Sequence, residues 1–243
     1  MKHRELYSNL TTLPPLFIRL DGRTFHRFAE RWRLESPFDE RFSEAMAAVS
    51  AGLISDSGLS PDLAYTFSDE ISLYFSRLPF NGRVEKLDSV SASFTASALT
   101  IGMKSEEPVS FDARIVHVTP ELAVEYLVNR QGEAWRNHLN AYCQNSLMQE
   151  GMSRKEAAAR LKGLPSREMH ELMFSRGFNL GGTPAWQRRG VLVYKRLYPV
   201  RGFNPKTGEM VESSRHGVVV NRDLPVFASP EGRALLSTVI QSP

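Results

Sequence analysis

Residues 63–75 read Leu63-Ala64-Tyr65-Thr66-Phe67-Ser68-Asp69-Glu70-Ile71-Ser72-Leu73-Tyr74-Phe75. Apolar, aromatic and β-branched residues flank a short polar tip, so this stretch reads as two strands meeting at Ser68-Asp69-Glu70. Upstream, Leu16–Leu20 reads as a short buried strand ending on Asp21-Gly22, where glycine permits a sharp backbone turn. Between them, Pro37–Ile54 has helical spacing through Phe38, Phe42, Ala45, Met46 and Val49, with Ser36 as N-cap. Downstream, Val84–Met103 reads as a helix, Ala113–Val118 as a strand, and Pro120–Glu150 as one long helix that Gly151 ends. The order strand, helix, strand, strand, helix, strand predicts an α+β fold of the ferredoxin-like βαββαβ type.

The rest of the chain is expected to be an extension of that unit. From Gly151 onward it reads as two short helices and a β-hairpin arm, with strands Gly190–Val200 and Arg215–Val220. The turn-rich run Asn204-Pro205-Lys206-Thr207-Gly208 joins them. The expected division is therefore residues 1–150, including the long helix, and residues 151–243. The fold alone leaves the activity open, because polymerase palms, nucleotide cyclases and non-catalytic RNA-recognition modules share it.

At 243 residues the chain can bury one sizeable core with a smaller appended lobe. A hydrophobic fraction of 42% and a charged fraction of 23% are those of an ordinary globular protein. The single cysteine, Cys143, excludes an intramolecular disulfide and a Cys-based zinc site. No segment has the order of a signal peptide and no apolar run reaches membrane length, so a cytoplasmic location without membrane contact is expected. Residues 1–120 carry 13 Lys and Arg against 16 Asp and Glu, and residues 121–243 carry 17 against 11. An acidic first half suits a cation site, and a basic second half suits a polyanion such as RNA.

Asp21 ends the first strand and Asp69-Glu70 sit at the next turn. In the expected fold these strands are neighbours, so three carboxylates can meet at their ends. Carboxylates that close repel one another unless a cation neutralises them or one takes up a proton. Hard oxygen ligands without Cys or paired His point to Mg²⁺. Two such ions about 3.5–4 Å apart are the usual device for in-line phosphoryl displacement. The competing reading is structural, with Asp69 making a hairpin turn and Asp21 capping the next one.

Two motifs carry a resemblance. Ile18-Arg19-Leu20-Asp21-Gly22-Arg23-Thr24-Phe25-His26-Arg27-Phe28 resembles the first signature of the tRNA-His guanylyltransferase superfamily, and Ser68-Asp69-Glu70-Ile71-Ser72 resembles its second. Phe111-Asp112-Ala113-Arg114 and the run Arg130-Gln131-Gly132-Glu133-Ala134-Trp135-Arg136-Asn137 extend the likeness, which continues to Arg189-Gly190. The resemblance implies a polymerase-type palm in which Asp21, Asp69 and the Gly22 carbonyl bind two Mg²⁺ ions and Glu70 supports the site. It implies nucleotide contacts from Arg23, Thr24, Phe25, His26 and Ser68, and triphosphate contacts from Arg83 and Lys86 at a helix start. Arg130, Glu133, Asn137, Asn140 and Gln144 share one face of the long helix; this is either a solvated stripe or a phosphate-binding one.

Obligatory guanylate-adding enzymes of the superfamily carry a His-Ile-Asn-Asn run where this chain has Trp135-Arg136-Asn137-His138. The form here resembles the Thg1-like branch, which extends tRNA 5′ ends by templated 3′-to-5′ polymerisation using ATP, GTP and other nucleoside triphosphates. The resemblance also implies a homotetramer. Basic residues Arg136, Arg188, Arg189, Lys195 and Arg201, with Arg196 and Lys206, are then the expected tRNA contacts. Three alternatives remain at this point: guanylate addition to tRNA-His, a palm-type nucleotide cyclase, and a non-catalytic RNA-recognition module.

Overall fold

In the computed structural model, which describes residues 4–204 and 208–241, the centre of the molecule is a strand with no exposed position. This is β3 (Glu70–Phe75), buried at all six residues because both faces of the sheet are covered. It pairs antiparallel with β1 (Leu16–Gly22) on one side and with β2 (Leu63–Phe67) on the other. With β4 (Phe111–His117), and β5 (Val191–Asn204) and β6 (Glu209–Asn221) beyond β2, the strand order is β4-β1-β3-β2-β5-β6.

Alternation along β1 decides which helices cover which face. Leu16, Ile18 and Leu20 point to one side and pack with Met46 and Leu53 of α2 (Glu40–Ser55) and Leu87 and Leu99 of α3 (Val84–Gly102). Phe17 points to the other, against Ala123 and Leu127 of α4 (Pro120–Gln149). Full burial of one such Leu or Phe contributes about 1.5–3 kcal/mol, so period-two patterning holds the three-layer stack together. The strands and long helices expected from sequence are all present; their ends agree within three residues except in the hairpin arm, where β5 runs on to Asn204 rather than Val200 and β6 starts at Glu209 rather than Arg215.

Two differences have physical reasons. Helix α2 starts at Glu40 rather than Pro37, because Asp39 caps it by accepting from the Phe42 amide. Ser36 instead donates its hydroxyl to Asn145. Helix α8 (Pro230–Gln241) adds to the elements expected from sequence, and its Leu236, Val239 and Ile240 close the cluster around Phe17.

At 30 residues α4 is about 45 Å long, longer than the sheet it crosses. Its second half therefore overhangs, and Leu139, Cys143 and Leu147 gather α5 (Arg154–Leu161) and α6 (Ser166–Ser175) into a separate apolar cluster. The sheet itself continues across the expected division at residue 150, since Val191–Tyr194 of β5 pair with β2. Past Lys195, whose amide donates to Asp62 O at 3.4 Å, β5 and β6 pair with each other and form the hairpin arm. No described helix is long and apolar enough to cross a membrane.

Candidate active site

The β2–β3 connection is a two-residue turn, since Phe67 and Glu70 are register partners and only Ser68 and Asp69 lie between them. Ser68 takes a left-handed conformation with φ 50°, and its hydroxyl donates to the Asp69 carboxylate at 3.0 Å. The same turn is tied to β1, because the Gly22 amide donates to the Asp69 carbonyl at 3.1 Å. A Cβ on Gly22 would press into the Phe25 ring and stand 2.9 Å from the Asp69 Cβ. Glycine is what allows β1 to end this close to Asp69. Asp21 is the register partner of Glu70 and of Asp112 in β4, so it stands at the same end of the sheet.

Of the three carboxylates expected to converge, one is engaged elsewhere. Glu70 is buried and accepts two hydrogen bonds from Arg130 on α4, from Nε at 2.8 Å and Nη2 at 2.5 Å. Burial raises its carboxyl above the ordinary range, opposed by the charge and hydrogen bonds of Arg130. Asp69 is raised too, chiefly by burial and further by the nearby Asp21, against the Ser68 hydrogen bond. Asp69 thus has no cationic partner to offset its desolvation.

No group of three or more His, Cys, Asp or Glu side chains gathers for a metal among the described residues. That leaves Asp21, Asp69 and the Gly22 carbonyl. This set fits Mg²⁺, which typically takes one or two carboxylates and completes its shell with water and substrate phosphates.

Beside the turn lies a cleft of about 740 Å³, within the usual range for small-molecule sites. Gly22, Thr24, Phe25, Ser68 and Asp69 line one end, and Asn137, Asn140 and Gln144 of α4 form a wall. The amide stripe therefore faces a cavity, not open solvent. Phe25 is set in a ring cluster with Phe28, Trp32, Phe42 and Phe111, at centroid distances of 5.3 to 6.2 Å. Thr24, at φ 57°, begins the short helix α1 (Phe25–Arg31) that carries His26, whose side chain lies outside those described. Arg23 is exposed and its amide is bound to the Ser110 carbonyl.

Several expected contacts are placed elsewhere. Arg83 and Lys86 start α3 at the far end of the sheet. Arg83 bridges Thr11, and the neighbouring Thr12 hydroxyl bonds His117, the register partner of Leu16. β3 runs away from the Ser68–Asp69 turn, so the helix after it must begin at the opposite end. The five residue steps from Leu16 to Asp21 alone span about 17 Å, and neither side chain reaches the cleft within one chain. Arg130 is committed to Glu70, as above. Arg136 donates to Leu164 O at 2.8 Å and Ser166 Oγ at 3.3 Å, pinning α4 to the α6 lead-in. Arg189 donates to Leu224 O at 2.6 Å, the Arg188 Nε is buried without a hydrogen-bond partner, and Lys195 donates to Ser60 Oγ at 2.7 Å. Arg196, over the Tyr198 ring at 6.0 Å, and Arg201, paired with Glu212 at 2.9 Å, are the exposed arm residues of this group. Lys206 lies outside the described residues.

One residue beside the site was not singled out in the sequence. Arg19, two positions before Asp21 and on the same sheet face, has a buried Nε with no hydrogen-bond partner, and its charge acts on Glu70. Its place inside an apolar strand was a visible signal, because arginine is seldom buried without a partner.

Comparison with known proteins finds likeness to tRNA(His) guanylyltransferases in sequence and in fold. Residues 1–119 match the family described as tRNAHis guanylyltransferase (Thg1). The chain is 28% identical over 223 residues to a probable tRNA(His) guanylyltransferase of Dictyostelium discoideum, covering 86% of this chain and 85% of that one. It is 29% identical over 227 residues to the Mus musculus counterpart, covering 87% and 76%. Among solved structures, a bacterial tRNA(His) guanylyltransferase (Thg1)-like protein in complex with ATP superposes with TM-score 0.77 at 23% identity, over 99% of this chain and 96% of the other. The tRNA(His) guanylyltransferase of Saccharomyces cerevisiae superposes with TM-score 0.69 at 26% identity, over 79% and 90%.

Proposed function

Because this chain belongs to the tRNA-His guanylyltransferase superfamily and is a nucleotidyltransferase, we propose that it adds nucleotides to the 5′ end of tRNA in the 3′-to-5′ direction, choosing each by pairing with the opposite strand. The observation that carries the reading is the juxtaposition of Asp21, Gly22 and Asp69 at the end of a nucleotide-sized cleft. Bound by these groups, two Mg²⁺ ions would supply the charge that stabilises the attacking and departing oxygens.

The chain's own residues do the rest. The Phe25 side and the amides of Asn137, Asn140 and Gln144 hold the nucleotide, and amides serve because each offers both a donor and an acceptor. Arg19, whose buried Nε has no hydrogen-bond partner, brings positive charge beside the carboxylates, suited to phosphate oxygen. A 5′-monophosphate end is first activated by nucleotidyl transfer from ATP, with loss of pyrophosphate. The 3′-hydroxyl of the incoming nucleotide then attacks the activated phosphorus and AMP departs; a 5′-triphosphate end loses pyrophosphate directly.

The repair reading is supported at the position of the missing His-Ile-Asn-Asn run. Trp135 stacks on His138 at 5.4 Å and Arg136 is tied to the α6 lead-in, so these residues are occupied in packing. The rival reading, one G added to tRNA-His, draws on the names of the relatives. A homotetramer belongs to the same proposal. The arm exposes Leu197, Phe203 and Met210, and a two-stranded ribbon is marginal alone. Labelled nucleotide incorporation into 5′-truncated tRNA, with each base at the templating position, separates the two readings.

A further inference from the structure

The turn that presents Asp69 is held at both shoulders by one side chain. Arg130 grips Glu70 through Nε at 2.8 Å and Nη2 at 2.5 Å, and its guanidinium carbon lies 5.3 Å from the centroid of the Phe67 ring. Phe67 and Glu70 are the register partners that flank Ser68 and Asp69. Such a turn needs this support, because Ser68 occupies a left-handed conformation that persists only where its surroundings over-determine it. The Thr66 hydroxyl, donating to Glu70 O at 2.7 Å, and the Gly22 amide fix its backbone. Arg130 fixes its flanking side chains.

The same grip keeps a third carboxylate out of the way. Glu70 is the register partner of Asp21, on the same face of the sheet, and a free carboxylate there would compete for cations held by Asp21 and Asp69. With side chains of Arg130 and Glu70 only 17% and 10% exposed, neither exchanges its partner readily for water.

We propose that Arg130 is a positioning residue of the nucleotidyl transfer reaction, holding the Asp69 turn through Glu70 and Phe67 without touching nucleotide or tRNA. This rests on the metal-dependent reading of the site. The role requires arginine, because a planar fork can grip a carboxylate with two bonds while stacking on an aromatic ring. A lysine ammonium can do one or the other.

The test compares wild type with Arg130→Lys and Glu70→Gln by three readouts. These are thermal unfolding, Mn²⁺ affinity by electron paramagnetic resonance with a non-hydrolysable ATP analogue present, and steady-state nucleotide addition. For Arg130→Lys the expected result is a melting temperature within a few degrees of wild type. Mn²⁺ affinity should fall about tenfold and kcat by about 10- to 100-fold, with KM for tRNA within about twofold. Glu70→Gln, which keeps the shape and one hydrogen bond, should give the same kcat-selective loss, and it decides the matter if the lysine variant does not fold. Wild-type Mn²⁺ affinity and kcat in either folded variant would overturn the proposal, as would a rise in KM for tRNA at unchanged kcat. Absence of Mn²⁺ binding in the wild type would instead overturn the metal reading, and this proposal with it.

Discussion

The Gly22 amide donates to the carbonyl oxygen of Asp69 at 3.1 Å, joining the end of β1 to the tip of the β2–β3 turn. Through this one bond, residues 47 positions apart in sequence become a single rigid corner carrying both unpaired carboxylates. Neither strand end could present a cation site alone.

Asp69→Asn keeps the shape of that corner and removes its charge. Nucleotide addition is expected to fall by at least about a thousandfold, as when a directly ligating or charge-stabilising group is removed. Folding should survive, since Asp69 is desolvated without a cationic partner. Turnover in Mg²⁺ and urea denaturation on the same preparation check both halves.

His138 is fully buried between Trp135 and Tyr142, with Nε2 3.2 Å from the Thr183 hydroxyl. Burial, helped by the charge of Arg188, depresses it from 6.5 to about 4. The native state holds it neutral, so its contribution to stability is full above pH 6.5 and is lost as pH falls towards 4. By linkage the loss is at most about 3 kcal/mol. Asp39, lowered to about 2 mainly by its hydrogen bond from Arg41, loses its contribution only at lower pH, below about 4. Urea unfolding of wild type should therefore show stability falling between pH 6.5 and 4. His138→Phe, which keeps a ring, should flatten that fall, and an unchanged slope would show that another group is responsible.

The basic residues separate into those anchored to the body of the chain and those exposed on the arm. Arg189→Ala removes a 2.6 Å bond to Leu224 O and should lower stability by about 1–3 kcal/mol, with little change in the salt dependence of tRNA binding. Arg196→Ala and Arg201→Ala, exposed on the arm, should leave unfolding unchanged and each reduce the salt slope by about one. Filter-binding titrations across a salt series distinguish the classes. A flat response to both arm variants would mean that these two arginines do not meet RNA.

What the sequence made legible follows from local chemistry. Asp21-Gly22 and Ser68-Asp69 could be read because strand ends and turns declare themselves through residue type. The hairpin arm was readable for the same reason. The pairing through which Glu70 acts was not legible, because its partner lies 60 residues away, on a helix face whose polar stripe resembles a solvated one. The distance of Arg83 and Lys86 from the turn was legible in the chain order: in an antiparallel hairpin the second strand leaves the turn, so a helix that follows it starts at the other end of the sheet. The Asp39 cap of α2 is local, with partners Glu35, Arg41 and Phe42 within four residues, whereas the place of α8 as a wall of the core depends on tertiary neighbours that local patterns do not encode. Gln131 is a further case. It accepts from the Phe227 amide at 2.6 Å and donates to Pro225 O at 3.1 Å, so it anchors the segment before α8 from a buried position on α4.

The central claim is templated addition, and it is tested most directly on tRNA transcripts lacking their first 5′ nucleotide, with each of the four bases at the templating position, beside full-length tRNA-His. Watson–Crick pairing aligns only the matching nucleotide's 3′-hydroxyl with the activated 5′ end. The account predicts complementary incorporation on all four transcripts and weaker reaction on full-length tRNA-His. Addition of G whatever the opposing base, with tRNA-His favoured over the truncated substrates, would contradict it and identify a guanylate-adding enzyme instead.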